Sequence, residues 1–428
     1  GKTANLRLLP VYNEAFPDSS GFQELTVEVP GWEISGLRLL DLLRNRRLQA
    51  SRLTLRAPDT QVTSTALQQR GRLDSVLERR SRWKQLYPHL SAAFTAVVLG
   101  ELEIEAGHLL DFRRREGIIH RMELPEYDLR LRDIRIDSAR HEDPRFPFYF
   151  NDLFFALKDY SFALEDSIHR VKVGKMGISS LARLVYFSDI HIRYDSTVLD
   201  RRPLVRIPNL YRADIPLISL EQTDLFEAIR TRRLEVGEIY IHAPHAELRS
   251  FPAFRQALID SLDAIRSFDR PDLYNPISRI LNALAVDRFR LAGGTFLLNT
   301  ENDASENGFT ARNISVDIRN FVIDSTAQRR TDRYFYADSM NVAVNVSDYT
   351  FITPDSAYMI SVGNIGVMSA TERIYADSIY LVPRIGNGTA GQVRAFVPRV
   401  VLEGLDIQKA YFDKKIEARK LNIRNPTL

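Results

Sequence analysis

The chain contains no cysteine, only two tryptophans and five methionines, and nine lysines against 49 arginines. Without cysteine there is no disulfide scaffold, no thiolate metal site and no thiol nucleophile. Long hydrophobic runs are also missing. The longest apolar stretch, residues 90–99, is half of the roughly 20 residues that a membrane-spanning helix needs. No charged segment followed by an apolar core opens the chain, so no signal peptide is read. Neither charge dominates: 58 Lys plus Arg against 55 Asp plus Glu leave +3, which argues against a surface built to neutralise phosphates and against a nucleic-acid partner. No phosphate-binding loop, dinucleotide fingerprint, nucleophile elbow or zincin helix is present. Nothing assembles a nucleophile, base and oxyanion donor, so neither an enzyme nor a cofactor is expected.

What the 428 residues do contain is a long internal repeat. Residues 29–58, 215–244 and 397–426 align without a gap, each opening on an aliphatic residue and proline and closing on a second proline. The opening prolines are Pro30, Pro216 and Pro398, a period of about 185 residues. A basic pair recurs at Arg46 and Arg47, Arg232 and Arg233, and Lys414 and Lys415. Further along the period, Asp159-Tyr-Ser-Phe162 precedes Asp348-Tyr-Thr-Phe351 by a similar step. The chain divides into a tail (1–28), two periods (29–214 and 215–396) and the start of a third (397–428), and reads as a slice of a longer array.

Each period is mainly alternating. Ile34, Leu220 and Leu402 sit in the first strand of the window, and Leu53 and Leu55, Ile239 and Ile241, Leu421 and Ile423 in the second. Between them, Leu39, Leu42 and Leu43, Leu225, Ala228 and Ile229, and Ile407, Ala410 and Tyr411 mark one face of a short amphipathic helix. Leu102 with Ile104, Phe289 with Leu291, Ile134 with Ile136, and Val316 with Ile318 continue the period-two pattern. So do Ile190 with Ile192, and Val342, Val344 and Val346. The spacing of Val236 and Ile239 breaks parity and predicts a bulge. A second helical patch is expected over residues 73–87 and 253–268. One apolar and one wet face imply an antiparallel sheet.

Other candidates have simpler readings. His242 and His245 form the best metal pair, but the matching positions hold Arg56 with Asp59 and Arg424 with Thr427, and two ligands are too few. Residues 299–307 suggest calcium but lack the spacing of a calcium loop. Asp128, Asp133 and Asp137 alternate with Arg130, Arg132 and Arg135, as a solvated charged face does. Arg113, Arg114 and Arg115 read as a loop tip. Asn313, Asn345 and Asn387 head glycosylation sequons.

The window pattern of aliphatic-Pro, alternating aliphatics, Gly-x-Asp, short helix, basic pair and closing Pro, clearest from Val401 to Pro426, resembles the AsmA-like family, which includes TamB-type proteins. Gly36 lacks the following Asp, and Thr223-Asp224 lacks the Gly. The resemblance implies an elongated, twisted antiparallel sheet forming an open apolar groove. It further implies a non-catalytic, periplasmic conduit for phospholipid acyl chains in outer-membrane biogenesis. That conduit would be tethered to the inner membrane outside this segment, with inner- and outer-membrane proteins as partners. The apolar residues of the alternating strands named above, Phe289 among them, are the expected groove lining. A different class, a scaffold or adhesin-like repeat whose sheet covers its own apolar face, would carry no lipid.

Overall fold

The computed structural model describes residues 6–7, 23–65, 86–115, 118–143, 145–146, 148–164, 166, 168–195, 210–250, 274–278, 281–300, 307–326, 336–337, 339–352, 358–383, 393–405, 415 and 417–427. The alternating segments form twenty strands joined in one sheet. In chain order these begin with β1 (Leu6–Arg7), β2 (Gln23–Val29), β3 (Gly31–Ser35), β4 (Arg47–Arg56) and β5 (Asp59–Thr65). Next come β6 (Ala96–Arg115), β7 (Ile118–Ile136), β8 (Asp152–Ala163), β9 (His169–Ser179) and β10 (Leu184–Tyr194). The same kinds of strand recur as β11 (Leu210–Glu221), β12 (Arg233–His242), β13 (His245–Ser250), β14 (Ala283–Thr300) and β15 (Asn307–Asp324). The last are β16 (Ser339–Ile352), β17 (Tyr358–Met368), β18 (Arg373–Pro383), β19 (Ala395–Glu403) and β20 (Lys420–Arg424). β4 and β12, β6 and β14, and β9 and β17 are the same strands one period apart.

Neighbours follow chain order, so the sheet runs in single file from β1 to β20. The pairs β2/β3, β4/β5 and β12/β13 each occupy one rung, which gives seventeen rungs and, at ~4.8 Å each, a width of roughly 77 Å. Among the described residues no ladder joins β20 back to β1, so the sheet is not a closed barrel.

The sheet is mixed, which corrects the antiparallel expectation. β4 and β5 lie parallel to β6, and β12 and β13 lie parallel to β14. Parallel neighbours need a crossover of a dozen residues or more, and residues 66–95 and 251–282 supply it. The helical patch read over 73–87 is described only at its end, where α2 (Leu86–Ser91) forms. The patch over 253–268 lies outside the described residues. The helix after β3, α1 (Leu39–Asn45), ends on left-handed Arg46 (φ 50°). The Arg46 carbonyl takes the Thr95 N–H at 2.8 Å, and its guanidinium reaches the carbonyls of Ala92 and Ala93. One half of the basic pair therefore stops a helix and positions the parallel strand. The helix after β11, α4 (Leu225–Thr231), ends likewise on Arg232 (φ 58°) and starts on an Asp224 carboxylate that accepts the Glu227 N–H at 2.9 Å. The corresponding helix of the third window lies outside the described residues.

Two lines of skipped ladder pairs crease the sheet. Asp159, Gly174, Asp189 and Pro216 sit between regular pairs on β8 to β11, and Gly363, Ser378 and Pro398 on β17 to β19. Asp159, Asp189 and Ser378 are left-handed there. A second line passes through Ser51, Gly100 and left-handed Asp133, and again through Gly237, Asp287 and left-handed Asn320. An extra residue at each crease restores parity, so apolar side chains stay on one face across the bend. The bulge between Val236 and Ile239 falls at Gly237. Beside the first crease, Val171, Val173 and Ile190 pack with Met176, Phe187, Ile215 and Ile218, residues from both sides of the line. At the far end of β14 and β15, Ile323 and Tyr336 pack with Leu284, Phe321 and two residues of α5 (Tyr274–Ser278), Tyr274 and Ile277.

Candidate functional site

Between the creases the apolar side chains align from strand to strand. Trp32, Leu55, Ile104, Leu129, Phe155 and Ile178 are successive cross-strand partners, and the row goes on through Val185, Leu220, Ile239, Phe289 and Ile318. It crosses eleven consecutive rungs without a polar residue. A second row joins Leu157, Met176, Phe187, Ile218, Ile241, Leu291, Val316 and Val342. Beside Val342 on β16, Val344 continues through Val367, Ile374 and Leu402 to Leu421, and Val346 through Ile365, Ala376 and Val400 to Ile423. The apolar face is therefore unbroken from β3 to β20.

The residues expected to line it fall into three groups. Ile34, Leu53 and Leu102 are partners in a shorter row, and together with the long rows they hold most of the set. Ile134 and Ile136 lie beyond the second crease, paired with Leu99 and Val97. Ile190 and Ile192 lie beyond the first, where Ile190 is buried in the packed cluster. The rows are half-buried along their middle and open at the ends, where Trp32 is 47%, Leu421 57% and Ile423 53% exposed. The helices sit at strand ends: α1 against β4, α4 against β12, α5 against β14 and β15, and α3 (Ser138–Glu142) against β7.

The opposite face is a lattice of ion pairs. Glu101 meets Arg52 at 2.9 Å and Arg132 at 2.9 Å, Glu103 meets Arg130 at 2.6 Å, and Arg56 lies between Glu33 and Glu105. One period on, Arg290 meets Glu238 at 2.8 Å and Arg288 meets Asp317 at 2.5 Å, and further along are Arg373 with Glu403 and Arg399 with Asp377. Arg290 and Arg399 also lie 4.4 and 4.9 Å over the rings of Tyr240 and Tyr375. A planar fork that binds carboxylates across a strand gap and stacks on rings suits arginine rather than lysine. A hollow of about 580 Å³ on this face is lined by Glu33, Arg52, Arg56, Glu101, Glu103 and Glu105, among others, all engaged in these pairs.

The other sequence candidates have structural roles. Asp128 accepts the Ala106 N–H at 2.9 Å, Asp133 is left-handed at the crease, and Asp137 caps α3 by accepting the Arg140 N–H at 2.8 Å. His242 bonds Tyr240 at 2.9 Å. No group of three metal-ligating side chains occurs among the described residues. The side chains of Arg113 to Arg115 and residues 301–306 lie outside them.

One node was not legible in sequence. His169 is buried at 1% exposure, stacked 3.8 Å on Tyr211. Its Nδ1 bonds Asp166 at 2.5 Å, and its Nε2 accepts the Tyr211 N–H at 3.1 Å. Burial opposes ionisation of Asp166, but backbone N–H groups of His169 and Ile168 and the His169 ring outweigh it and lower the carboxyl to about 2. Its stabilising contribution is whole above the usual carboxylate pKa near 4 and is lost as pH falls from there to about 2. Urea unfolding of the wild type between pH 5 and pH 2 should therefore show about 2 kcal/mol of acid sensitivity that Asp166→Asn lacks. Equal acid slopes in the two proteins refute the assignment.

No family model matches the chain, and no curated protein matches it. Among solved structures it is similar to one described as the crystal structure of sex pheromone staph-cAM373 precursor. That match has 6% identity and a TM-score of 0.17, over 75% of this chain and 85% of that one, and it carries no inference about fold or function.

Proposed function

We propose that the apolar face is a conduit for the acyl chains of phospholipids, acting without catalysis. In this reading the protein is AsmA-like, resides in the periplasm and serves transport between inner and outer membranes. The observation that carries it is the unbroken apolar band from β3 to β20. Exposing two 16-carbon chains to water costs on the order of 25 kcal/mol, at about 0.8 kcal/mol per methylene. A continuous band removes most of that barrier at every step and needs no specific side chain, only the absence of interruptions. The charged face suits the same role, because paired charges hold it in water and leave only one side for lipid. No helix of the described residues is long and apolar enough to cross a membrane.

A photoreactive residue in place of Phe289 or Val344 captures phospholipid in cells. The same residue in place of Arg288 or Asn345, their neighbours on the charged face, captures little. Equal capture on both faces, or none on either, rejects the conduit.

A further inference from the structure

Helix α4 and helix α1 occupy the same place in successive periods, and both end on a left-handed arginine. Their surroundings differ. The ring of Phe226 on α4 lies 5.7 Å from that of Phe148 and 5.9 Å from that of Phe150, while those two rings stack on each other at 5.0 Å. Ala228, on the same helix, is 6% exposed. The loop that brings these rings runs between β7 and β8 of the preceding period, and Arg140 ties its described residues together. Arg140 reaches the carbonyls of Phe148 and Phe150 at 3.3 and 3.1 Å and the Asn151 side chain at 2.7 Å, with its guanidinium 3.7 Å over Phe146. Tyr149, which separates Phe148 and Phe150 in sequence, is 4% exposed. The contact is thus a preformed aromatic clasp from one period onto the helix of the next.

On α1, Leu39, Leu40 and Leu43 hold the places of Leu225, Phe226 and Ile229, and Leu42, in the place of Ala228, is half-buried. Leu39, Leu40 and Leu43 are 58%, 68% and 79% exposed, and the helix fully buries no residue. Three exposed leucines on so short a helix are not explained by anything within the described chain. We infer that this leucine face is the seat for the aromatic β7–β8 loop of a period of the same architecture placed ahead of β2. The internal contact of Phe148 and Phe150 with Phe226 is its template. The partner is therefore a loop presenting two phenylalanines in i, i+2 spacing, and successive periods are locked by this clasp as well as by strand pairing. The inference does not depend on what the apolar face carries.

The experiment extends the whole chain by a duplicate of residues 29–184 ahead of Gly1, which keeps the phase of the repeat, and places p-benzoylphenylalanine at Leu40. Vesicles of phosphatidylethanolamine and phosphatidylglycerol are present throughout. The expected crosslink joins position 40 to the duplicate's Phe148–Phe150 loop, and α1 amides exchange about tenfold more slowly than in the unextended chain. Phe148→Ser with Phe150→Ser in the duplicate abolishes both effects. Amides of β3 report independently that the added period has docked. Slowed exchange in β3 with α1 unchanged overturns the inference, as does a crosslink to lipid in place of the loop.

Discussion

Replacing Gly36 by glutamine destabilises the protein by about 3 kcal/mol, and adding Ser51→Gly restores about half of the loss. Gly36 is left-handed (φ 66°), and a Cβ there would sit 2.1 Å from Ser51 Oγ and 2.7 Å from its Cβ. One period later the partners are exchanged. Gln222 occupies the left-handed position (φ 56°), and the residue facing it is Gly237, whose added Cβ would come within 2.3 Å of Gln222 Oε1. In the third window Gly404 (φ 68°) faces Arg419, with an added Cβ 2.2 Å from its Nε. At this crease the strands approach so closely that only one residue of each facing pair carries a side chain. The single substitution combines the left-handed cost of about 1–2 kcal/mol with an overpacking cost of about 1–3 kcal/mol. The double substitution reproduces the arrangement of the second period and keeps only the first cost. A double-mutant cycle by urea unfolding reads the difference, and simple additivity of the two changes refutes the exchange.

The same crease shows how far the sequence reaches. Alternation and the regular return of the window expose the strands, and the broken parity at Val236 and Ile239 exposes the bulge at Gly237, because side-chain direction at period two is a local property. Which strands become neighbours is not local. β6 runs parallel to β4 and β5, with residues 66–95 intervening in the chain. A helical patch between two strands was the available sign of such a crossover, but alternation alone favours an antiparallel sheet. Membership of the apolar rows was legible wherever residues lie between the creases, as Leu55, Ile239 and Phe289 do. Ile190 was not separable from them, since burial beyond the crease depends on Val171 and Val173 arriving from the neighbouring strand. The aromatic clasp was invisible for a related reason: Phe148 and Phe150 meet Phe226 from a distant part of the chain. The arginine excess, opaque in composition, acquires a use once Glu101, Asp317 and Glu403 are seen facing arginines across a strand gap.

Two carboxylates set into the middle of the apolar face, Phe289→Glu with Ile318→Glu, divide the proposed conduit without dissolving the sheet. These residues are direct cross-strand partners in the longest row, with Ile239 beside Phe289. Like charges directly opposite each other cost up to about 1 kcal/mol, and losing two half-buried apolar side chains costs about 2–3 kcal/mol more, a loss spread over a sheet whose other ladders are untouched. An acyl chain crossing the altered strands suffers differently. If about six methylenes lose apolar contact, the added barrier is about 5 kcal/mol, which slows passage more than a thousandfold. The matched control puts the same two carboxylates on the charged face, at Ser315 and Ala343, which are also direct partners. Photoreactive residues at Phe155 and Val344 then stand on either side of the block. With the block in place, phospholipid capture persists at one position and disappears at the other, and the position that keeps it marks the side from which lipid is loaded; the control leaves capture at both. Undiminished capture at both positions in the blocked protein would mean that lipid does not travel along this face.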